Sequence, residues 1–146
     1  MEQILKIENL HTSFYTHAGE VRAVRGVNIR LSKGEIIGIV GESGCGKSVT
    51  MMSMLNLIPE NARVKDGSVF FQDKELTKLT DQQLESIRGN EISMIFQDPM
   101  TSLNPVFTIG NQMTEHVKKH KRIGKNEAWK LAVEMLDKVG ISNPEQ

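Results

Sequence analysis

The sequence predicts an α/β fold, and three observations predict it. Segments near the start alternate apolar and polar residues with period two, a run apolar at every position leads into a glycine-rich turn, and two amphipathic helical patterns close the chain. In chain order, Leu5 and Ile7 alternate with Lys6 and Glu8, and Val27, Ile29 and Leu31 alternate with Asn28 and Arg30, as half-buried strands do. Ser32-Lys33-Gly34 turns the chain. Ile36 to Val40 is apolar on successive positions, which predicts a strand covered on both faces, as in a parallel sheet. Lys47 to Ile58, rich in Met and Leu and closed by Pro59, predicts a buried helix. Gly67 to Gln72 reads as a short strand. Thr80 with Gln83 three residues on makes a capping box for a helix to about Arg88, ended by Gly89. Ile92 to Phe96 reads as another strand, followed by a loop from Asp98 to Pro105 in which two prolines, Asn and Ser oppose regular structure. Two helices finish the chain. In the second, Ala128, Leu131, Ala132, Met135, Leu136 and Val139 fall at helical spacing, and Gly140 sits where a left-handed C-terminal residue belongs.

Composition narrows the function. With 18 Lys plus Arg against 18 Asp plus Glu the formal net charge is zero, so no global field draws the chain to nucleic acid or to an anionic surface, and a charged ligand has to be held locally. No apolar run approaches the roughly 18 residues of a membrane span, and the opening MEQILKIENL lacks the pattern of a secretory leader. The lone cysteine, Cys45, has no partner within the chain, and a reducing cytosol is the expected compartment. The basic run Lys118-Lys119-His120-Lys121-Arg122 lacks interleaved aromatics and reads as a solvated helix end, so no nucleic-acid partner is expected.

Residues 41–48 read GESGCGKS, a full match to GxxxxGK(S/T), between the expected covered strand and the expected helix. From average residue usage, a chance match in a chain of this size is about a 1-in-200 event. Gly41, Gly44 and Gly46 let the backbone bend so that successive N–H groups point inward, and the helix adds its positive end, which makes a cradle for phosphates. Lys47 supplies a point charge for the β and γ phosphates, and the Ser48 hydroxyl is placed to ligate Mg²⁺. Cys45 sits at a variable loop position and reads as a passive spacer, although the helix end and Lys47 would both favour a thiolate there. Among activities that share such a loop, a GTPase needs an NKxD motif that is absent. The DxxG spelled by Asp137 to Gly140 falls at the end of an amphipathic helix and reads as coincidence. On the loop alone a small-molecule kinase stays open.

The segments GIVGESGCGKS (38–48) and MIFQDPMTSLNPVFTIGNQM (94–113) resemble the ATP-binding subunits of ABC transporters, in the branch that imports oligopeptides and dipeptides. The resemblance runs along the whole chain, LHTSFYTHAGEVRAVRGVNIRLSKGE (10–35) included. It implies an ABC-type ATP-binding domain with a phosphate-loop core, N-terminal antiparallel strands and the start of a helical subdomain. Residues 1–98 would form the nucleotide-binding core part with the phosphate loop, and 99–146 the family's glutamine loop and the beginning of the helical subdomain. It implies ATP and Mg²⁺ as ligands, held by the loop residues Gly41, Glu42, Ser43, Gly44, Cys45, Gly46, Lys47, Ser48 and Val49. Phe14 falls where the family stacks an aromatic ring on adenine, with Tyr15 the neighbour that could do so instead. Gln97, in FQDP, resembles the family's Mg²⁺- and water-positioning glutamine, so that Lys47 and Gln97 are the expected catalytic residues, and Ser48 and Gln97 the metal ligands. The implied partners are transmembrane permease subunits and a second ATP-binding subunit, with the protein peripheral at the cytoplasmic face of the cell membrane. The loop from Asp98 to Ile109, with Met100, Leu103, Val106 and Phe107, and the helix after it are where a short helix of the permease is expected to dock.

The same resemblance exposes an absence. The family's LSGGQ signature, its apolar strand ending in Asp-Glu and its switch His do not occur. Met94-Ile95-Phe96 followed by Gln97-Asp98 imitates an apolar strand ending in an acid, but Pro99 stands where the Glu would follow. The expectation is the N-terminal half of such a subunit, an incomplete core that binds ATP weakly, hydrolyses it negligibly and leaves Ile36 to Val40 partly uncovered. The rival readings are a non-catalytic nucleotide-binding or interaction module, and an ABC-type ATPase outside transport.

Overall fold

The computed structural model describes residues 2–97 and 102–145, which fall into two compact units, Met1–Arg88 and Gly89–Gln146. The first unit is built on an antiparallel sheet in the order β2-β1-β3-β4. β1 (Gln3–Thr16) and β2 (Gly19–Ser32) form one long hairpin running from Gln3 opposite Ser32 to Thr16 opposite Gly19. The period-two alternation foretells both strands and buries Ile7, whereas Leu10 and Val24, also buried, fall out of its phase because register shifts interrupt the pairing. β3 (Ala62–Phe71) lies on the other side of β1 and carries the two-residue β4 (Lys74–Glu75).

β3 is longer than the sequence suggests. Gly67, where the strand is expected to begin, sits inside it, opposite a bulge of β1 where Asn9 takes a positive φ of 47°. A Cβ on Gly67 would lie 2.4 Å from the Asn9 carbonyl oxygen, so the two backbones cross at a distance that only glycine permits.

α1 (Lys47–Met54) follows the glycine loop and is shorter than the expected run to Ile58. Asn56 adopts φ 51°, the left-handed conformation Asn tolerates, and the chain closes as a Schellman turn: Leu57 N–H donates to Met52 C=O (2.9 Å) and Asn56 N–H to Ser53 C=O (3.2 Å). A 3₁₀ turn (Leu76–Lys78) leads to α2 (Asp81–Ile87), whose Thr80–Gln83 capping box is formed as the sequence signals, with Leu76, Leu84 and Ile87 buried. The second unit contains α3 (Ile109–Lys121) and α4 (Lys125–Lys138). They pack on each other so closely that a Cβ on Gly110 would meet the Trp129 ring at 2.3 Å. Gly140 has the positive φ (80°) expected after the second helix.

Two expected strands do not form. Ile36 to Val40 belongs to no strand, and of Ile92 to Phe96 only Ile92 makes an isolated bridge. The physical reason is the same for both. A parallel strand takes its hydrogen bonds from neighbours on either side, and every strand pairing among the described residues is antiparallel and lies elsewhere. Ile36 is 96% exposed, Val40 93% and Ile95 99%, so the uncovered state expected of Ile36 to Val40 is what the structure shows.

Candidate functional site

The loop at 41–48 is placed by its flanks. Gly44 (φ 81°) and Gly46 (φ 95°) both take left-handed backbone, and Gly46 is the N-cap of α1 with no side-chain cap. A Cβ on Gly46 would stand 2.6 Å from the carbonyl oxygen of Ala23 in β2, so the loop passes the sheet at backbone distance. The first intrahelical bond runs from Thr50 N–H to Gly46 C=O at 2.9 Å, so the amides of Lys47, Ser48 and Val49 lie ahead of it as unpaired donors of the first turn. No acidic residue occupies that turn to compete for them.

The Lys47 side chain folds back into the curl. Its ammonium donates to the carbonyls of Gly41 and Glu42, both at 2.7 Å, and approaches Cys45 Sγ at 3.4 Å. A Cβ on Gly41 would lie 2.8 Å from that sulfur and 3.9 Å from Lys47 Nζ, which shows how tightly the loop wraps the charge. Cys45 and Ser48 are exposed. The combination of unpaired amides, a held cation and a free-standing hydroxyl on two turns of chain suits a polyanion with oxygens on several sides.

α1 is seated by a buried pair of hydroxyls. Ser53 Oγ donates to Val49 C=O (2.7 Å), so its only hydrogen is used, and the 2.8 Å contact with Thr12 Oγ1 of β1 has Thr12 as donor. Both residues are at most 3% exposed. Thr12 carries no sequence signal of this role, because a Thr in an alternating strand reads as an ordinary strand former.

Phe14 is half-buried in β1, opposite Val21 of β2 and Ala62 of β3. Its neighbour Tyr15 is engaged elsewhere. Lys65 Nζ donates to the Tyr15 hydroxyl at 2.9 Å and stands 5.6 Å from the ring centroid. That bond, with Glu20 nearby, raises the Lys65 pKa above the usual lysine range. Phe14 is therefore the aromatic left without a polar partner. Gln97 lies exposed in a bend of the second unit. Asp98 to Thr101, and with them Met100, lie outside the described residues. Leu103 (50%), Val106 (82%) and Phe107 (57%) are exposed beyond them, on a loop held by Gln112 of α3. The Gln112 side-chain amide donates to Asn104 C=O (2.9 Å) and Phe107 C=O (3.0 Å).

The sequence of this loop and its setting can be compared with known proteins. The family model described as ABC transporter matches residues 24–146. The chain belongs to the ABC transporter family. Among its ABC relatives, the dipeptide transport ATP-binding protein DppD of Bacillus subtilis (strain 168) is 52% identical over 99% of this chain and 43% of its own length. The oligopeptide transport ATP-binding protein OppD of the same organism is 50% identical, over 99% of this chain and 40% of its own length. The chain thus spans about two-fifths of the length of these curated relatives. A dimeric, post-hydrolysis structure of the ATP-binding cassette MJ0796 bound to ADP and Pi matches with a TM-score of 0.76 at 24% identity, covering 92% of this chain and 56% of that one. At that identity it shows the fold, which is that of an ABC cassette, with the antiparallel sheet and the phosphate-loop helix present and the core incomplete. Among the described residues, no helix is long and apolar enough to cross a membrane.

Proposed function

We propose that this chain is the ATP-holding part of an energy-coupling subunit of an ABC importer for oligopeptides or dipeptides. It would work at the cytoplasmic face of the cell membrane with transmembrane permease subunits and a second ATP-binding subunit. The observation that carries the reading is the Lys47 ammonium held inside the GESGCGKS curl that leads into the unpaired first-turn amides of α1. The names of the peptide-transport relatives support the substrate class.

The residues fit a nucleotide's triphosphate. The first-turn amides meet phosphate oxygens, and the helix end favours their negative charge. Two of the ammonium's three hydrogens go to carbonyls at 2.7 Å, whereas its contact with Cys45 Sγ at 3.4 Å is weak. That third hydrogen is the one redirected to a β or γ phosphate, while the two carbonyl bonds keep Lys47 in place. Ser48 would hold Mg²⁺ together with phosphate oxygens, and Gln97 stays the further metal ligand that the family resemblance implies. Bound there, Mg²⁺ supplies charge neutralisation at the phosphates. Phe14 offers a ring to the adenine, since Tyr15 is tied to Lys65. Exposed Leu103, Val106 and Phe107 are where the permease would dock.

In this reading the chain binds nucleotide but does not turn it over, because its sequence has the phosphate loop without the Asp-Glu strand end from which the family's water-activating carboxylate comes. The test is titration of the 146-residue chain with a fluorescent ATP analogue and Mg²⁺. Saturable binding, at least tenfold weaker in Lys47→Ala, is expected, with phosphate release no faster than in that variant. Absence of lysine-dependent binding overturns the proposal, and release well above the variant's rate overturns its non-catalytic part.

A further inference from the structure

The far end of the phosphate-loop helix is closed by a side chain from another element. The Schellman turn uses the carbonyls of Met52 and Ser53, which leaves those of Leu55 and Asn56 to be satisfied otherwise. Arg88, the last residue of the first unit, supplies the donors: Nε to Leu55 C=O at 2.8 Å and Nη2 to Asn56 C=O at 3.2 Å. The same Nη2 lies 3.3 Å from Asp81 Oδ1 at the start of α2, and Asn56 Nδ2 donates to that oxygen at 3.3 Å. The guanidinium, on a side chain only 23% exposed, thus sits on the negative end of α1 and ties it to both ends of α2.

We propose that Arg88 is a positioning residue for the phosphate cradle, acting through α1. An eight-residue helix is about two turns, too short to hold itself together in water. Its first-turn amides converge on one point only while the helix is formed and fixed. The loop end is fixed by the backbone approach of Gly46 to Ala23, and the middle by Thr12 and Ser53. Arg88 fixes the end that would otherwise fray. Its effect on a bound phosphate is carried through the helix, since its partners lie beyond Met54 rather than in the loop.

This rests on the ATP-binding reading above, and the experiment separates the two. Wild type, Arg88→Ala and Arg88→Lys are titrated with the fluorescent ATP analogue and Mg²⁺, at a temperature where each gives its fully folded circular dichroism signal. Binding is then repeated with added methylguanidinium, which fits the space an Arg→Ala change leaves. About tenfold weaker binding is expected in Arg88→Ala, with partial recovery on adding methylguanidinium. A smaller loss is expected in Arg88→Lys, which keeps the charge but loses the two-atom reach. No recovery of wild type by methylguanidinium is expected, so a bulk salt effect is distinguished. Failure of the wild type to bind overturns the nucleotide reading itself. Wild-type-like binding by Arg88→Ala, or a loss that methylguanidinium leaves unchanged, overturns the role of Arg88. If Arg88→Ala does not fold, Arg88→Lys with wild-type affinity does the same.

Discussion

Replacing Gly46 by alanine tests how the loop is seated, because two separable costs meet there. The first is conformational: φ 95° is a backbone that an L residue adopts at a cost of about 1–2 kcal/mol. The second is steric. The new Cβ would lie 2.6 Å from the Ala23 carbonyl oxygen, roughly 0.7 Å inside the closest comfortable carbon–oxygen approach of about 3.3 Å. Neither neighbour is a flexible side chain, so loop or strand has to move, which costs about 1–3 kcal/mol as other overpacking does. The sum, about 2–5 kcal/mol, is a large share of the roughly 5–15 kcal/mol that holds a domain. For a unit of this size it corresponds to a fall in Tm of about 10–25 °C. Two sibling changes isolate the terms. Gly44→Ala has φ 81° but nothing within 4 Å of the new Cβ, so only the conformational cost applies, about 1–2 kcal/mol. Gly38→Ala meets nothing and has no positive φ, and is expected within about 0.5 kcal/mol of wild type. Thermal and urea melts of the three variants give the ranking. Should Gly46→Ala prove no less stable than Gly44→Ala, the contact between loop and β2 is not what seats the cradle.

The buried hydroxyl pair gives a second series. Ser53→Ala strands the Thr12 hydroxyl away from water and should cost about 1–3 kcal/mol, while adding Thr12→Val, which removes the orphan, should recover most of it in a double-mutant cycle; additive losses would contradict this. Thr80→Ala removes the acceptor for Gln83 N–H at the start of α2 and should cost about 1 kcal/mol by urea melt, with Thr80→Ser near wild type. Stability also carries a small acid dependence. The Lys78 ammonium at 2.7 Å from Glu75 holds that carboxyl below the usual carboxylate range. Because the native value is the lower one, the contribution is fully present above the ordinary glutamate pKa of about 4.3 and is lost as the pH falls through the native value. Both groups are accessible to solvent, so Glu75→Gln should flatten the acid limb of stability against pH only slightly, and a steeper limb in the variant would reverse the sign argued here.

Much of this protein was legible before any coordinates. The alternation of Leu5, Ile7, Val27, Ile29 and Leu31 reports two half-buried strands because a pleated strand with one covered face must alternate. Thr80 with Gln83 reports a helix start because the two side chains reciprocally satisfy local backbone donors, a matter settled within four residues. GESGCGKS reports a curl around a charge for the same reason, since its glycines and lysine act on their own backbone.

What misled was every feature decided by residues distant in the chain. Lys47 to Ile58 is helical in composition throughout, yet the helix stops at Met54, where Asn56 turns left-handed and Arg88 takes the outgoing carbonyls. The strand expected from Gly67 begins at Ala62, because glycine at 67 lets the backbone pass the Asn9 bulge of β1 and the pairing continues beyond it. Ile36 to Val40 looks like a core strand and is unpaired, because hydrophobicity supplies the wish to be covered but a ladder needs a second backbone alongside. The sequence alone determined the curl of the loop and the lysine held in it, whose signals are local and backbone-driven. Only the tertiary structure decided where α1 ends, what anchors it at Ala23, Thr12 and Arg88, and which apolar segments find partners, since each depends on groups brought together from tens of residues away.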